Sequence, residues 1–314
     1  MRIVFCGSGE FGIPTLQQLV DQGMDLPLVL TQPPRPAGRG GQLRPTPLAQ
    51  EAGQLGLAVR AVEDINAPEV VEALGQLRAE LLLVVDFGQM IRQPARQAFA
   101  AGAINLHGSL LPELRGAAPV NWAIIRGCRT TGVTTFQLVD RMDAGAMYHR
   151  RQTDIDPQET ALELRHRLAE MGAEAVLETL AALAGGELSA REQDEVRATK
   201  APRLKKSDGS VNWGDDALAI RNRIHGTWPW PGGQSGFVPA GGACLPVTIA
   251  RAAAHEPDQR VALPGLVLSD RTVACGLGRL EILEIKPAGG RLMQWRDFCN
   301  GHHVKSGDTF LTTT

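Results

Sequence analysis

An asparagine and a histidine two residues apart are the side chains of this sequence best suited to chemistry. Asn105 and His107 follow a short apolar run, Ala103-Ile104, that is typical of the end of a buried strand. In an extended segment, residues two apart point to the same side. An amide that donates and accepts hydrogen bonds, beside an imidazole that titrates near neutral pH, can polarise a carbonyl and move a proton. The same spacing also occurs where a histidine simply ends a strand, so the pair alone assigns no site.

A carboxylate in a later loop completes a possible catalytic set. The β-branched run Thr131–Val139 predicts a strand, and an acidic, glycine-containing loop, Asp140–Gly145, follows it. Two loops that follow strands of one sheet can meet at its edge. We therefore expect the carboxylate of Asp143 to hold the imidazole of His107.

The residues directly after His107 form a long loop. Ser109–Pro112 and Arg115–Pro119 contain too many prolines and glycines for a helix or a strand. Loops at strand ends carry the chemistry of many α/β proteins. This loop is therefore a second candidate part of a site.

The first half of the chain alternates strand and helix patterns. The predicted strands are Arg2–Cys6, Leu26–Leu30, Leu57–Val62, Glu80–Val85 and Thr131–Val139. The predicted helices are Pro14–Gln22, Pro47–Leu55, Ala67–Arg78, Pro94–Ala101, Pro119–Arg126 and Glu159–Leu183. This order predicts an α/β fold with a doubly wound, parallel-rich sheet, in which ligands bind at the carboxyl ends of the strands.

A second domain is expected after a polar stretch. We predict a first domain over residues 1–186, a linker over 187–205 and a second domain over 206–314. Beyond Trp213 the pattern predicts one helix, Asp215–His225, and then short strands that suggest a small barrel. These strands are Cys244–Ala250, Gly265–Leu268, Val273–Gly276 and Leu280–Ile285.

The glycine turn after the first strand has the G-x-G-x-x-G spacing of a dinucleotide site. It spans Gly7–Gly12, between a strand and a helix. That fingerprint also requires an acidic residue at the end of the second strand, which holds the ribose. Here the second strand is followed by Thr31–Pro34, a segment that contains no acidic residue. We therefore interpret Gly7, Gly9 and Gly12 as a tight turn.

Basic residues gather in two places. Arg35, Arg39 and Arg44 lie in the stretch 31–47, which is rich in proline and glycine and predicts either a surface loop or a mobile element that contacts an anion. Residues 200–314 carry a net charge of +4, against −6 for residues 1–199, and include the cluster Arg203, Lys205 and Lys206. The asymmetry suggests that the second domain could face a polyanion.

Composition excludes several other classes of protein. There is no run of about 18 apolar residues that could span a membrane. The first residues do not have the pattern of a signal peptide. The five cysteines are scattered without C-x-x-C spacing, which favours reduced thiols in a cytoplasmic protein over disulfides or a zinc site.

Two longer motifs resemble a known family. INLHGSLLPELRGAAPVNWAI at 104–124 and GVTTFQLVDRMDAG at 132–145 resemble the formyltransferases that use 10-formyltetrahydrofolate. Within them, the chain is most similar to the methionyl-tRNA formyltransferases. This narrower resemblance rests on TQPPRPAGRG at 31–40, LKKSDGSVNW at 204–213 with WPWPG after it, and KPAGGRLMQWRDF at 286–298. The resemblance covers nearly the whole chain.

The resemblance implies a Rossmann-like formyltransferase domain followed by an OB-like β-barrel. It implies that an enzyme of this kind transfers the formyl group of 10-formyltetrahydrofolate to methionyl-initiator tRNA, without a metal. The expected catalytic residues are Asn105, His107 and Asp143. The expected folate-binding residues are Phe87, Ser109, Leu110, Leu111 and Pro112, and the expected tRNA-binding residues are Arg35, Arg39, Arg44, Lys205 and Lys206. We expect a cytoplasmic monomer with no membrane partner.

Two departures from the family pattern affect the expected tRNA contacts. Gly41-Gln42 follows Gly38-Arg39-Gly40, where further basic residues are usual in the family. The segment Gly232–Ala243 is richer in glycine than the first strands of such a barrel. Three other functions stay open. They are formyl transfer to a small amine such as an amino-sugar nucleotide, hydrolysis of the folate to release formate, and nucleic-acid binding by an inactive enzyme fold.

Overall fold

The computed structural model describes residues 1–37, 41–255 and 262–312. Its first strand is an interior strand of a seven-stranded sheet. The chain divides into two compact units. The first unit comprises Met1–Pro119, Thr131–Thr153 and Arg165–Pro202. The second unit comprises Val120–Thr130, Asp154–Leu164 and the chain from Arg203 onward.

Nine strands precede residue 160 in the described part of the chain. They are β1 Arg2–Gly7, β2 Asp25–Thr31, β3 Arg35–Ala37, β4 Gln42–Arg44, β5 Val59–Ala61, β6 Leu81–Val85, β7 Ala103–His107, β8 Thr130–Gln137 and β9 Met147–Asp154. The large sheet has the order β5-β2-β1-β6-β7-β8-β9. Its first five strands are mutually parallel, and β8 runs antiparallel to β7. All five residues of β6 are buried, as expected for a central strand of a parallel sheet.

Six α-helices precede residue 185 in the described residues. They are α1 Ile13–Asp21, α2 Pro47–Gln54, α3 Pro68–Gln76, α4 Gln93–Gln97, α5 Pro119–Ile125 and α6 Ala161–Ala184. Proline stands in the first turn of each of the first four helices. Proline has no amide hydrogen, and the helix does not use one at this position because the first amides have no carbonyl partner within the helix. The Thr46 hydroxyl also caps α2 by accepting a hydrogen bond from the Ala49 amide at 3.2 Å.

After Arg203, the described chain of the second unit forms an antiparallel, nearly closed barrel. Its elements are α7 Ala217–Thr227, β10 Gly233–Val238, β11 Leu245–His255, β12 Val273–Ala274, β13 Arg279–Pro287, β14 Met293–Gln294, α8 Trp295–Gly301 and β15 Thr309–Thr312. The strand order is β12-β13-β11-β10-β15, with β14 beside β13. Leu266 bridges to Thr309 of β15 and Val267 to Val273 of β12, so one short segment links the two edge strands. This arrangement confirms the expected OB-like barrel.

One expectation for the second unit was wrong, and one of its strands was not predicted. The helix α8 shows that α7 is not the last helix. Its sequence, WRDFCNG, is too short to display a helical period, although Trp295, Phe298 and Cys299 are buried against the barrel. The glycine-rich segment forms β10, which pairs with strands on both sides. A side chain at Gly233 would overlap Ile224 of α7, so glycine lets the strand lie close to the helix.

The alternation of strand and helix at the start of the chain is confirmed, and the fold is a Rossmann-like parallel-rich sheet with a separate β-barrel. Two features of the first unit were not predicted. The stretch 31–47 contains the hairpin of β3 and β4, and β9 adds an edge strand whose residues are mostly polar. Within the described ranges, no helix has the length and apolar character needed to cross a membrane.

Candidate active site

The sheet places Asn105 and His107 at the carboxyl end of β7. Asn105 pairs in register with Val84 of β6, and His107 pairs with Thr134 of β8. His107 is 7% exposed, whereas Asn105 is half-buried. Within the described part of the chain, the side-chain amide of Asn105 makes no hydrogen bond, so both its N–H groups and its oxygen remain free to bind another molecule.

Two groups fix the position of the His107 ring. Its Nε2 lies 3.0 Å from the carbonyl oxygen of Leu114, and because a carbonyl only accepts, Nε2 carries a hydrogen. Its Nδ1 lies 3.8 Å from Oδ2 of Asp143, which is an ion-pair distance and longer than a hydrogen bond. The ring also meets Phe136 edge-on, with 6.3 Å between centroids. The Leu114 carbonyl was not predicted, and it orients the imidazole as directly as the carboxylate.

The loop that carries Asp143 is held by backbone contacts. Its Oδ2 accepts a hydrogen bond from the amide of Gly116 at 2.8 Å, and its side chain is 13% exposed. Asp143 has a φ of 51°, in the left-handed region that few non-glycine residues adopt. Gly145 follows, where any side chain would overlap the carbonyl oxygen of Gln137 at the end of β8. The expected meeting of Asp143 with His107 is therefore present in the structure.

One buried threonine holds the loop Ser109–Pro112. The hydroxyl of Thr134 donates to the Ser109 carbonyl at 2.7 Å and accepts from the Leu111 amide at 3.1 Å. The Ser109 hydroxyl donates to the carbonyl of Glu113 at 2.6 Å. Thr134 is fully buried on β8, and nothing in the sequence marked it as part of the site.

The expected folate-binding residues differ in how much they expose. Ser109, Leu111 and Pro112 are buried, and Leu110 is partly exposed. The side chain of Phe87 is buried in the core beside the sheet, while its carbonyl accepts from the Gln32 side-chain amide at 2.9 Å. These residues gather near the carboxyl ends of β6 and β7, and their contact with folate stays a prediction.

The glycine turn after β1 is occupied by protein. The amides of Ser8 and Gly9 point to the carbonyl of Asp86, at 3.0 and 3.4 Å. A side chain at Gly9 would overlap the Asp86 carboxylate. The turn therefore packs against the end of β6, which fits a tight turn better than a phosphate-binding loop.

Two of the three arginines expected to bind tRNA, Arg35 and Arg44, lie on the β3–β4 hairpin. Arg35 and Arg44 face each other in register, and both are exposed. Like charges directly opposite on a hairpin repel, and a bound anion would relieve that repulsion. The guanidinium of Arg35 donates to the side-chain oxygen of Gln32. Arg39 lies outside the described residues.

The two expected lysines belong to the second unit. Lys205 and Lys206 are exposed at a short 3-10 helix, Lys206–Gly209. Lys206 and Lys286 line a cavity of about 520 Å³ together with Gln234. Two cationic side chains on one depression suit an anionic partner.

Comparison with known proteins places both units in one family. A family model described as formyl transferase matches residues 1–180, and one described as formyl transferase, C-terminal domain, matches residues 203–303. Methionyl-tRNA formyltransferase of Solibacter usitatus is 42% identical and covers 98% of both chains. That of Methylococcus capsulatus is 39% identical, with 96% of this chain and 97% of the relative covered.

Solved structures share the fold at low sequence identity. An N-formyltransferase from Helicobacter canadensis, solved with folinic acid and dTDP-3-aminofucose, has a TM-score of 0.64 at 12% identity and covers 90% of this chain and 99% of that one. HypX from Aquifex aeolicus, solved with tetrahydrofolic acid, has a TM-score of 0.65 at 18% identity, with 100% of this chain and 51% of that one covered. On the two family models and the curated relatives, the chain belongs to the formyl transferase family.

Proposed function

We propose that this enzyme transfers the formyl group of 10-formyltetrahydrofolate to the α-amino group of methionyl-initiator tRNA. The observation that carries the proposal is the amide of Asn105, which has no hydrogen-bond partner among the described residues, beside the oriented imidazole of His107. The chain also aligns over 98% of its length with a methionyl-tRNA formyltransferase. A pair of hydrogen-bonding groups at a strand end suits acyl transfer, in which negative charge develops on one oxygen.

The reaction begins when the methionyl nitrogen attacks the formyl carbon. The carbonyl oxygen then becomes an oxyanion, and the side-chain N–H of Asn105 donates to it. Because the described residues offer this donor no partner, it binds the oxygen without first breaking a hydrogen bond within the protein. Removing one such donor lowers kcat by about a hundredfold to a thousandfold in other acyl-transfer enzymes.

His107 and Asp143 move the proton from the attacking amine to the leaving folate nitrogen. The Nε2–H of His107 is held by the Leu114 carbonyl at 3.0 Å, so the Nδ1 edge is the one that acts. Nδ1 lies 3.8 Å from Oδ2 of Asp143 and makes no hydrogen bond to it, so its lone pair can accept the proton. The nearby carboxylate favours the imidazolium that forms when Nδ1 accepts the proton.

The donor supplies the reactive group, and the protein supplies position and electrostatics. 10-Formyltetrahydrofolate carries an activated formyl group, so the proposed reaction needs no metal. The pterin lies at the carboxyl ends of β6 and β7, against Leu110 and the main chain at Phe87. Folate-bound structures of neighbours with the same fold support a folate donor.

The acceptor is a charged tRNA, and each unit supplies basic residues that can bind it. In the first unit, Arg35 and Arg44 of the hairpin contact its phosphates, with Arg39 between them in sequence. In the second unit, Lys205 and Lys206 add further contacts. A small amine is a less well supported acceptor, because the neighbour bound to an amino-sugar nucleotide is only 12% identical to this chain.

The organisation of the enzyme follows from this reaction. We place the catalytic domain at residues 1–186, the linker at 187–205 and the tRNA-binding domain at 206–314. The candidate catalytic residues all come from one unit of one chain, which supports a monomer. An enzyme that prepares initiator tRNA acts in the cytoplasm, where translation begins.

The test is product analysis with three acceptors. Purified protein and 10-formyltetrahydrofolate are mixed with methionyl-initiator tRNA, with a nucleotide-linked amino sugar, or with neither. We expect formyl-methionine on the tRNA and no comparable product otherwise. Formylation of the amino sugar alone would refute the acceptor, and formate release alone would indicate a hydrolase.

A further inference from the structure

The segment Arg191–Ala201 runs along the candidate site inside the first unit. Arg191 and Met147 exchange two backbone hydrogen bonds of 2.8 Å, next to the Asp143 loop. Further on, the Arg115 amide donates to the Thr199 carbonyl at 2.8 Å, and the Ala201 amide donates to the Arg115 carbonyl at 2.7 Å. The segment therefore touches both loops that surround His107, although its polar sequence suggested only a linker.

Gln193 is the buried side chain at the centre of this segment. Its Nε2 donates to the carbonyls of Asp143 and Gly145, each at 2.8 Å. Its Oε1 accepts from Nε of Arg115 at 3.0 Å and from Nη2 at 2.8 Å. Carbonyls only accept and guanidinium groups only donate, so these four partners determine the amide orientation. All four hydrogen-bonding positions of the amide are used.

These bonds close a ring around the carboxylate. Gln193 holds the carbonyl of Asp143 and the side chain of Arg115, while the next amide, that of Gly116, donates to Oδ2 of Asp143 at 2.8 Å. Glu195 also holds the side chain of Arg115, through an ion pair of 2.9 Å. The Arg115 and Arg141 guanidinium groups lower the pKa of Glu195 to about 2, so it stays ionised at neutral pH.

We propose that Gln193 is a positioning residue that holds Asp143 at its working distance from His107. Asp143 has a left-handed φ of 51°, so its carbonyl direction depends on what binds it. Without the Gln193 amide hydrogens, the carbonyls of Asp143 and Gly145 lose this donor, and the backbone of the loop Asp140–Gly145 changes its conformation. The carboxylate then leaves its place beside the Nδ1 of His107. This inference rests on the proposed function, which gives those two residues their roles.

Gln193→Glu separates this role from simple packing. The substitution keeps the volume and the pairing with Arg115 but replaces the two donors with an oxygen that repels both carbonyls. We expect kcat for formylation of methionyl-tRNA to fall about tenfold to a hundredfold, as for other residues that orient catalytic ligands. The KM values for folate and tRNA should stay within about threefold, since no substrate contact changes. Gln193→Met, which removes the hydrogen bonds without adding charge, should behave in the same way.

A double-mutant comparison with Asp143 provides a second test, in which the loss of kcat is measured with and without the carboxylate. In an Asp143→Ala background, Gln193→Glu should cost less than about twofold in kcat, because there is no carboxylate left to position. A merely structural role would give the same loss in both backgrounds. Asp194→Ala is the matched control, since Asp194 is exposed and caps the neighbouring turn through the Val196 amide at 3.0 Å. It should leave kcat unchanged.

Two failures are distinguishable. If the wild-type protein does not formylate methionyl-tRNA, the proposed function is wrong. If the wild-type protein is active and either Gln193 variant keeps the wild-type kcat, or if the losses from the Gln193 and Asp143 variants multiply fully, the positioning role is overturned.

Discussion

Asn105→Ala should separate catalysis from stability more cleanly than other changes at the site. The Asn105 amide makes no hydrogen bond within the described residues and its side chain is half-buried, so its loss leaves no protein group unpaired. We therefore expect the free energy of unfolding to change by less than about 1 kcal/mol. The same amide donates to the proposed oxyanion, so kcat should fall about a hundredfold to a thousandfold, or about 2.7 to 4 kcal/mol in the transition state.

The assay is single-turnover formation of formyl-methionyl-tRNA at saturating folate, with urea denaturation of the same samples. Asn121→Ala is the matched control, because the Asn121 amide donates to the Gly226 carbonyl at 2.8 Å. That variant should lose about 1 kcal/mol of stability and keep its turnover. An Asn105→Ala enzyme with a kcat within about threefold of the wild type would refute the assigned role.

Two further predictions concern the second unit and the arginine hairpin. Burial lowers the pKa of His225 from 6.5 to about 4. Between about pH 6.5 and pH 4, this histidine is therefore protonated in the unfolded chain and neutral in the folded one. The stability of the second unit should therefore fall by up to about 3 kcal/mol as pH drops from 6.5 to 4, by urea denaturation, and His225→Gln should remove much of that slope. Replacing Arg35 and Arg44 by Gln should weaken tRNA binding and reduce the slope of log Kd against log salt by about 1 to 2. An unchanged slope would exclude phosphate contacts at that pair.

The parallel sheet could be predicted from the sequence because its strands are apolar runs. The sequence LLLVV of β6 is buried throughout, and a short, continuous apolar run between turns is typical of a strand buried on both faces of a parallel sheet. In contrast, β9 reads MYHRRQTD and exposes much of its length at the sheet edge. The helix α8 is seven residues long, too short for a helical period. Elements without a strong hydrophobic period depend on tertiary contacts that the local sequence does not contain.

The candidate site also has a part that could be predicted from the sequence and a part that could not. The types and spacing of Asn105, His107 and Asp143 predicted which side chains would meet, and the structure brings His107 and Asp143 within 3.8 Å. The groups that hold them could not be predicted. The Leu114 carbonyl belongs to the main chain, and Gln193 lies in a polar stretch whose burial appears only after folding. Such residues follow from three-dimensional packing and leave no pattern in a single sequence.

Formylation of methionyl-initiator tRNA by the purified protein is the measurement that tests the central claim most directly. The reaction contains 10-formyltetrahydrofolate and either charged tRNA or free methionine, and formyl-methionine is quantified after the ester bond is hydrolysed. The account predicts multiple turnovers with the charged tRNA and negligible product with the free amino acid. Absence of formyl-methionine from the charged tRNA, at saturating folate and with correctly folded protein, would contradict it.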